Sequence, residues 1–205
     1  MTRAAATVLF LVWLAVGPSG PADVHVLTGA RLFRENRFSE ALVEFRVADR
    51  LGAPDARAYA AAALVKLEKP EDALELFEGP GGPAQRADPL LDYYHALACY
   101  GARLYLCADE LLAGVGERTG PRIAGQARQI RKDIAAAIPA APTPDTIDWY
   151  LARARAHAAS GKALLTRAYA AEARRLGERR PDRHGVAEAA ALIAQPSRAG
   201  APPSP

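Results

Sequence analysis

The chain predicts an all-α fold, and three observations carry that expectation. Ala-rich segments poor in β-branched residues run through its 205 residues, and Ala enters a helix without losing side-chain entropy. No segment alternates apolar with polar residues over a Val-, Ile- or Thr-rich run, so no strand is expected. Apolar residues instead recur at spacings of three and four. The clearest set is Phe38, Ala41, Leu42, Phe45, Ala48 and Leu51, which share one helical face. The length suits one domain or a short array of repeated units.

Taken in order, residues 1–22 read as a secretory signal peptide. Arg3 supplies a positive start, residues 4–16 are an apolar run, and residues 17–22 (GPSGPA) end it with helix breakers and small side chains. The run falls short of the roughly 20 residues needed to span a bilayer. Cleavage after Ala22 is expected, with an uncleaved anchor as the alternative. No Cys stands near that point, so lipid attachment is not expected. The Ala-, Arg- and Pro-heavy usage matches GC-rich bacterial genes, and the expected location is periplasmic or secreted.

Residues 23–53 form the first helix–turn–helix. Its first helix reaches about Glu35, Asn36 and Arg37 make the turn, and Phe38 opens the second helix. Gly29, Ala41 and Ala48 are small where two helix backbones cross. Residues 55–79 repeat the pattern, with Ala61 for Gly29, Ala73 for Ala41 and Phe77 for Phe45. Pro70 opens the second helix there, where its missing N–H is not needed. Residues 79–88 are a loop by composition. Residues 89–115 make a third copy through Ala96, Tyr105, Ala108 and Leu112. The small residue of the second helix thus recurs at steps of 32 and 35 residues.

Beyond residue 115 the period fails. A helix over residues 122–138 presents Ile123, Ile130, Ile134 and Ile138, and residues 139–145 form a Pro-rich linker. Asp145 is expected to cap a helix over residues 146–160. Gly161 turns the chain into another over residues 162–178. With Tyr150, Ala154, Ala170 and Ala173 this pair is a degenerate fourth copy, in which Thr166 replaces the small residue. A last helix over about residues 183–194 would cover the apolar end of the stack. Residues 196–205, rich in Pro, are expected to be disordered.

The period, the small residues and the aromatic after the turn resemble the tetratricopeptide repeat (TPR), a 34-residue helix–turn–helix unit. Gly29, Phe38, Ala41, Phe45 and Ala48 match its pattern. Pro54 falls one place late, and His25 stands where the family has Trp. The resemblance implies a right-handed α-solenoid of about four units. Residues 23–115 would carry three, residues 116–144 an inserted helix and linker, and residues 145–195 the degenerate fourth unit and a capping helix. It further implies a concave groove, lined by the first helix of each unit, that takes a partner's peptide. Phe33, Arg34, Lys66, Tyr93, Leu97 and Tyr100 are its candidates, with Ala62 and Val65 beside them. A carboxylate clamp is not expected, because Val26, Ala30, Ala58 and Ala62 hold its places.

Chemistry is sparse in the sequence. His25, His95, His157 and His184 show no metal-ligand spacing, and neither a phosphate loop nor a nucleophile elbow is present. No enzyme activity, cofactor or metal is expected. Cys99 and Cys107 lie on the two helices of the third copy, roughly opposite each other. They are either a disulfide, in an oxidising compartment, or two buried thiols. The net charge of +3 is too small to argue for nucleic acid, but it is unevenly spread. Residues 1–120 carry net −4 and residues 121–205 net +7. The basic side chains, Arg174, Arg175, Arg179 and Arg180 among them, are either a solvated surface or a face for an acidic partner or anionic lipid. The expected function is a non-enzymatic interaction scaffold or adaptor in the bacterial envelope, with a protein or peptide partner. The alternatives are an accessory module of an envelope enzyme or secretion system, or anionic-surface binding through the basic face. Membrane contact is expected only through that face or an uncleaved signal.

Overall fold

A computed structural model describes residues 20–79, 89–115, 119–138 and 142–195, which hold ten α-helices and no strand. The apolar run of the expected signal peptide lies outside the described residues. So do residues 80–88 of the expected loop, residues 139–141 of the expected linker and the tail 196–205. No helix among the described residues is long and apolar enough to cross a membrane.

Three antiparallel pairs come first. They are α1 (Pro21–Arg34) with α2 (Phe38–Arg50), α3 (Ala56–Lys66) with α4 (Pro70–Glu78), and α5 (Pro89–Gly101) with α6 (Tyr105–Val115). Consecutive pairs touch, since α3 packs on α2 and α5 packs on both α3 and α4. The helix α7 (Pro121–Ala137) then lies on α6. A fourth pair follows, α8 (Pro144–Ala159) with α9 (Ala163–Glu178), and α10 (Val186–Ala194) covers α9 and part of α8. The helix α1 begins at Pro21, so the expected cleavage point after Ala22 falls within its first turn.

The turn inside each pair is the same local structure four times. Asn36, Glu68, Arg103 and Gly161 each adopt positive φ, between 57° and 75°. In each case the next residue donates its N–H to the carbonyl five places back: Arg37 to Leu32, Lys69 to Leu64, Leu104 to Cys99 and Lys162 to His157, at 2.8–3.0 Å. This is the six-to-one bond that closes a helix through a left-handed residue. Its recurrence explains why the second helix of each pair starts at a fixed offset from the end of the first.

Small residues sit where the pairs close. Ala41, Ala73 and Ala108 have no exposed surface, and neither have Ala61, Ala96 and Ala154. A Cβ on Gly29 would lie 2.7 Å from the Phe45 ring. The helices therefore approach as closely as glycine allows, and Phe45 fills the gap. Thr166 occupies the corresponding small position in α9 at 3% exposure. Its hydroxyl donates to the Lys162 carbonyl at 2.9 Å, so its polar atom is satisfied there.

The cap of α8 differs from the expected one. Thr143, not Asp145, is the N-cap residue, and its hydroxyl accepts from the Thr146 N–H at 3.3 Å. Pro144 takes the first helical position, which pushes Asp145 into the first turn. The carboxylate there still faces the positive end of the helix dipole.

The fourth pair reaches the rest of the molecule mainly through α9, which touches both α4 and α6. The contact is at the turn ends of these pairs. Tyr150 donates its hydroxyl to the Arg103 carbonyl at 2.5 Å, and the Tyr169 hydroxyl shares its one hydrogen between Glu71 at 2.8 Å and the Ala102 carbonyl at 3.1 Å. Glu172, with no exposed surface, accepts the Leu106 N–H at 2.5 Å in the first turn of α6.

Two substitutions separate backbone strain from packing. Gly161 has φ +75° and open space where a side chain would stand, so Gly161→Ala should cost about 1–2 kcal/mol from strain alone. Gly29→Val should cost about 1–3 kcal/mol by overpacking against Phe45. Urea titration monitored by far-ultraviolet circular dichroism measures both, and unchanged midpoints would contradict the geometry.

Candidate functional site

The first helices of the three N-terminal pairs border an apolar cleft of about 380 Å³. Helix α1 supplies Leu27, Ala30, Phe33 and Arg34, α3 supplies Tyr59 and Ala62, and α5 supplies Leu90 and Tyr94. The small residues keep it open, since Ala30 and Ala62 carry only a methyl group. Phe33 meets Phe38 and Tyr94 edge-on, at ring separations of 5.2 and 5.6 Å. The Lys66 ammonium lies 5.8 Å from the centre of the Tyr94 ring, in cation–π contact. Leu27, 59% exposed, and Leu90, 36% exposed, leave large apolar surface facing water beside the cleft.

The expected groove residues divide. Phe33 and Arg34 line the cleft, and Lys66 stands at its edge against Tyr94. Tyr93 does not belong to it. That residue is 7% exposed, and its hydroxyl donates to the side-chain amide oxygen Oε1 of Gln126 on α7 at 3.3 Å. One residue is 100° of helical rotation, so Tyr93 turns toward Gln126 while its neighbour Tyr94 turns into the cleft. Leu97 and Tyr100 are half-buried against the main core and do not line the cleft, and Tyr100 is in ring contact with Tyr105 at 5.7 Å.

A second, polar cleft of about 610 Å³ lies where α8 and α9 meet the turn ends of α4 and α6. Trp149 forms its wall, with the Arg103 and Arg153 guanidiniums each 5.7 Å from its ring centre. Glu71 is the hub. One carboxylate oxygen accepts from Arg153 at 2.7 Å and from the Tyr169 hydroxyl at 2.8 Å, and His157 Nε2 lies 3.4 Å away. Burial works against ionisation of Glu71, but the Tyr169 hydrogen bond and the His157 and Arg153 charges outweigh it and hold the carboxyl below its ordinary range. Burial and the Glu71 bond push the Tyr169 hydroxyl up. Arg153 and Tyr169 are both engaged by Glu71, so the cluster joins α4, α8 and α9.

The remaining histidines also face carboxylates: His25 with Glu44 at 2.6 Å, His95 with Glu78 at 3.1 Å and His184 with Asp148 at 2.7 Å. The basic residues of the last helices are largely paired within the chain. Arg174 lies 3.7 Å from Glu178, Arg175 bridges Glu110 and Glu172, and Arg180 holds Asp182 at 2.6 Å. Arg179 is exposed beside them. Cys99 and Cys107 are free thiols. A hydrogen bond to Cys107 and burial push the Cys99 thiol well above its usual range. One further group escaped the sequence, because its members come from three helices: Glu78, Cys99 and Cys107 place one donor atom each within 4.8 Å of the others.

No protein-family model, curated protein or solved structure gives a significant match to the chain. The class defined by the fold is therefore the broad one, an all-helical protein of successive antiparallel pairs.

The sign of the Glu71 effect fixes a pH dependence. A carboxyl whose native pKa is depressed adds stability above its ordinary value, near 4.5, and loses it as the pH falls through the lower native value. Glu71→Gln should cost about 1–3 kcal/mol at neutral pH, because it weakens hydrogen bonds to buried partners. It should also flatten the loss of stability on acidification. Denaturant titrations of both proteins at neutral pH and at about pH 3 check this; parallel losses would remove Glu71 from the account.

Proposed function

We propose that this protein is a non-enzymatic scaffold or adaptor of the bacterial envelope, built as a solenoid of TPR-like units, that holds a segment of a partner protein. The observation that carries the reading is the cleft between α1, α3 and α5, apolar inside and open to water at Leu27 and Leu90. Its Arg34 and Lys66 edge suits a segment with apolar side chains followed by an acidic residue. Burying one aliphatic side chain in such a cleft contributes about 1.5–3 kcal/mol. Two or three anchors give a specific but reversible contact once ordering costs are met. The repeated turn and the buried small residues support the repeat reading. The signal-like residues 1–22 support export.

Photo-crosslinking from the cell of origin tests the proposal. A crosslinking residue at Leu27 or Tyr94 should capture the same protein, while one at Val43, exposed on α2, should not. Leu27→Asp with Leu90→Asp should then weaken binding of that purified partner at least about tenfold, which corresponds to 1.4 kcal/mol. Lys66→Glu should weaken it most at low salt. Equal capture from Val43, or undiminished affinity of the double variant, rejects the cleft as the binding surface.

A further inference from the structure

We propose that Glu78, Cys99 and Cys107 form a binding site for one thiophilic divalent cation of the zinc class, with His95 as the residue that orients Glu78. The site does not depend on the partner-binding reading. Its donors converge from three helices: Glu78 is the last residue of α4, Cys99 lies inside α5 and Cys107 lies in the first turn of α6. Two sulfurs and a carboxylate oxygen lie within 4.8 Å of one another. Around a tetrahedral zinc, bonds of about 2.3 Å to sulfur and 2.0–2.2 Å to oxygen set donor atoms roughly 3.3–3.8 Å apart. Closing onto a metal thus asks the donors to move together by about 1 Å.

The framework around the donors is rigid. The Leu104 N–H bonds the Cys99 carbonyl at 2.8 Å and fixes the α5–α6 turn, so the two cysteines are held across one hairpin. His95 stands one helical turn before Cys99 on α5. It stacks on Phe77 at 4.9 Å, and its Nε2 meets Glu78 Oε1 at 3.1 Å. An imidazole that fixes a carboxylate in this way is the usual outer support of a metal ligand. Glu78 also sits at the negative end of the α4 dipole, and the last turn of α4 carries no basic residue. A cation beside it supplies the missing positive charge.

A disulfide would use the two sulfurs and give neither Glu78 nor His95 a part. A soft divalent ion uses them all, with water in the fourth position. Binding converts two thiols to thiolates, both sulfurs and the carboxylate bond the metal, and two protons leave to solvent; no electron is transferred.

Cobalt titration of the full-length reduced protein is the test, because tetrahedral thiolate-bound Co²⁺ gives characteristic charge-transfer and ligand-field bands. One equivalent should bind, two protons should be released, and Zn²⁺ should displace the colour and raise the melting temperature. Cys107→Ser, at the half-buried position, should lose most of the charge-transfer intensity while keeping the helical circular dichroism spectrum. His95→Gln should weaken affinity about 10–100-fold, and Glu78→Gln should weaken it further. Folded, reduced protein that develops no charge-transfer band overturns the proposal. So does Cys107→Ser that binds cobalt as tightly as the parent. Protein purified without reductant in zinc-containing medium that carries a Cys99–Cys107 disulfide and no metal would also overturn it, in favour of oxidation.

Discussion

The turn between α5 and α6 leaves backbone groups that its own hairpin cannot satisfy, and α8 and α9 supply what is missing. Tyr150 donates to the Arg103 carbonyl, the Tyr169 hydroxyl shares its hydrogen between the Ala102 carbonyl and Glu71, and Glu172 accepts from the Leu106 N–H. The first four N–H groups of any helix lack intrahelical partners, and burying them unpaired costs about 1–3 kcal/mol each. Glu172 therefore acts as a cap that arrives 66 residues later in the chain. Burial raises its pKa, while the Leu106 and Cys107 N–H groups and Arg175 offset part of that rise. Docking of the last pair thus supplies an acceptor that the first turn of α6 lacks within its own hairpin.

This dependence shapes the whole molecule. A stack of helix pairs can grow indefinitely in one direction, each pair burying its face against the last. Here α7 occupies the flank of α6, and the fourth pair reaches α4 and α6 through α9. The Glu71 hub reinforces that placement from the α4 side, joining Arg153 of α8 and Tyr169 of α9. The C-terminal half thereby braces the turn ends of the second and third pairs, and the α1–α3–α5 cleft stays open.

The α5–α6 hairpin serves two purposes. One face of α5 gives Leu90 and Tyr94 to the cleft, while Cys99, deeper in the helix, turns to Cys107 and Glu78. A cation bound there would tie α4, α5 and α6 together close to the helix that borders the cleft. Rigidity at that point lowers the ordering cost of any segment the cleft accepts.

Much of the fold was legible in the sequence because its signals are local. Spacings of three and four marked the helices, and Gly29, Ala41, Ala73 and Ala108 marked where backbones meet. Asn36, Arg103 and Gly161 fell at the turns, where a left-handed residue ends one helix. Local signals also misled where two local choices compete: Asp145 reads as a cap, but Pro144 shifts the helix start so that Thr143 takes that role. What the sequence determined by itself was thus the helical class, the pairing of neighbouring helices and the small residues that let them close. All of these rest on interactions among residues near one another in the chain. Only the tertiary structure decided that Tyr94 rather than Tyr93 faces the cleft, because the partner of Tyr93 is Gln126, 33 residues away on α7. Only it brought Glu172 to the start of α6, Glu71 to Tyr169, and Glu78 to the two cysteines. Those contacts join helices distant in sequence, and no periodicity records which distant side chains will share a site.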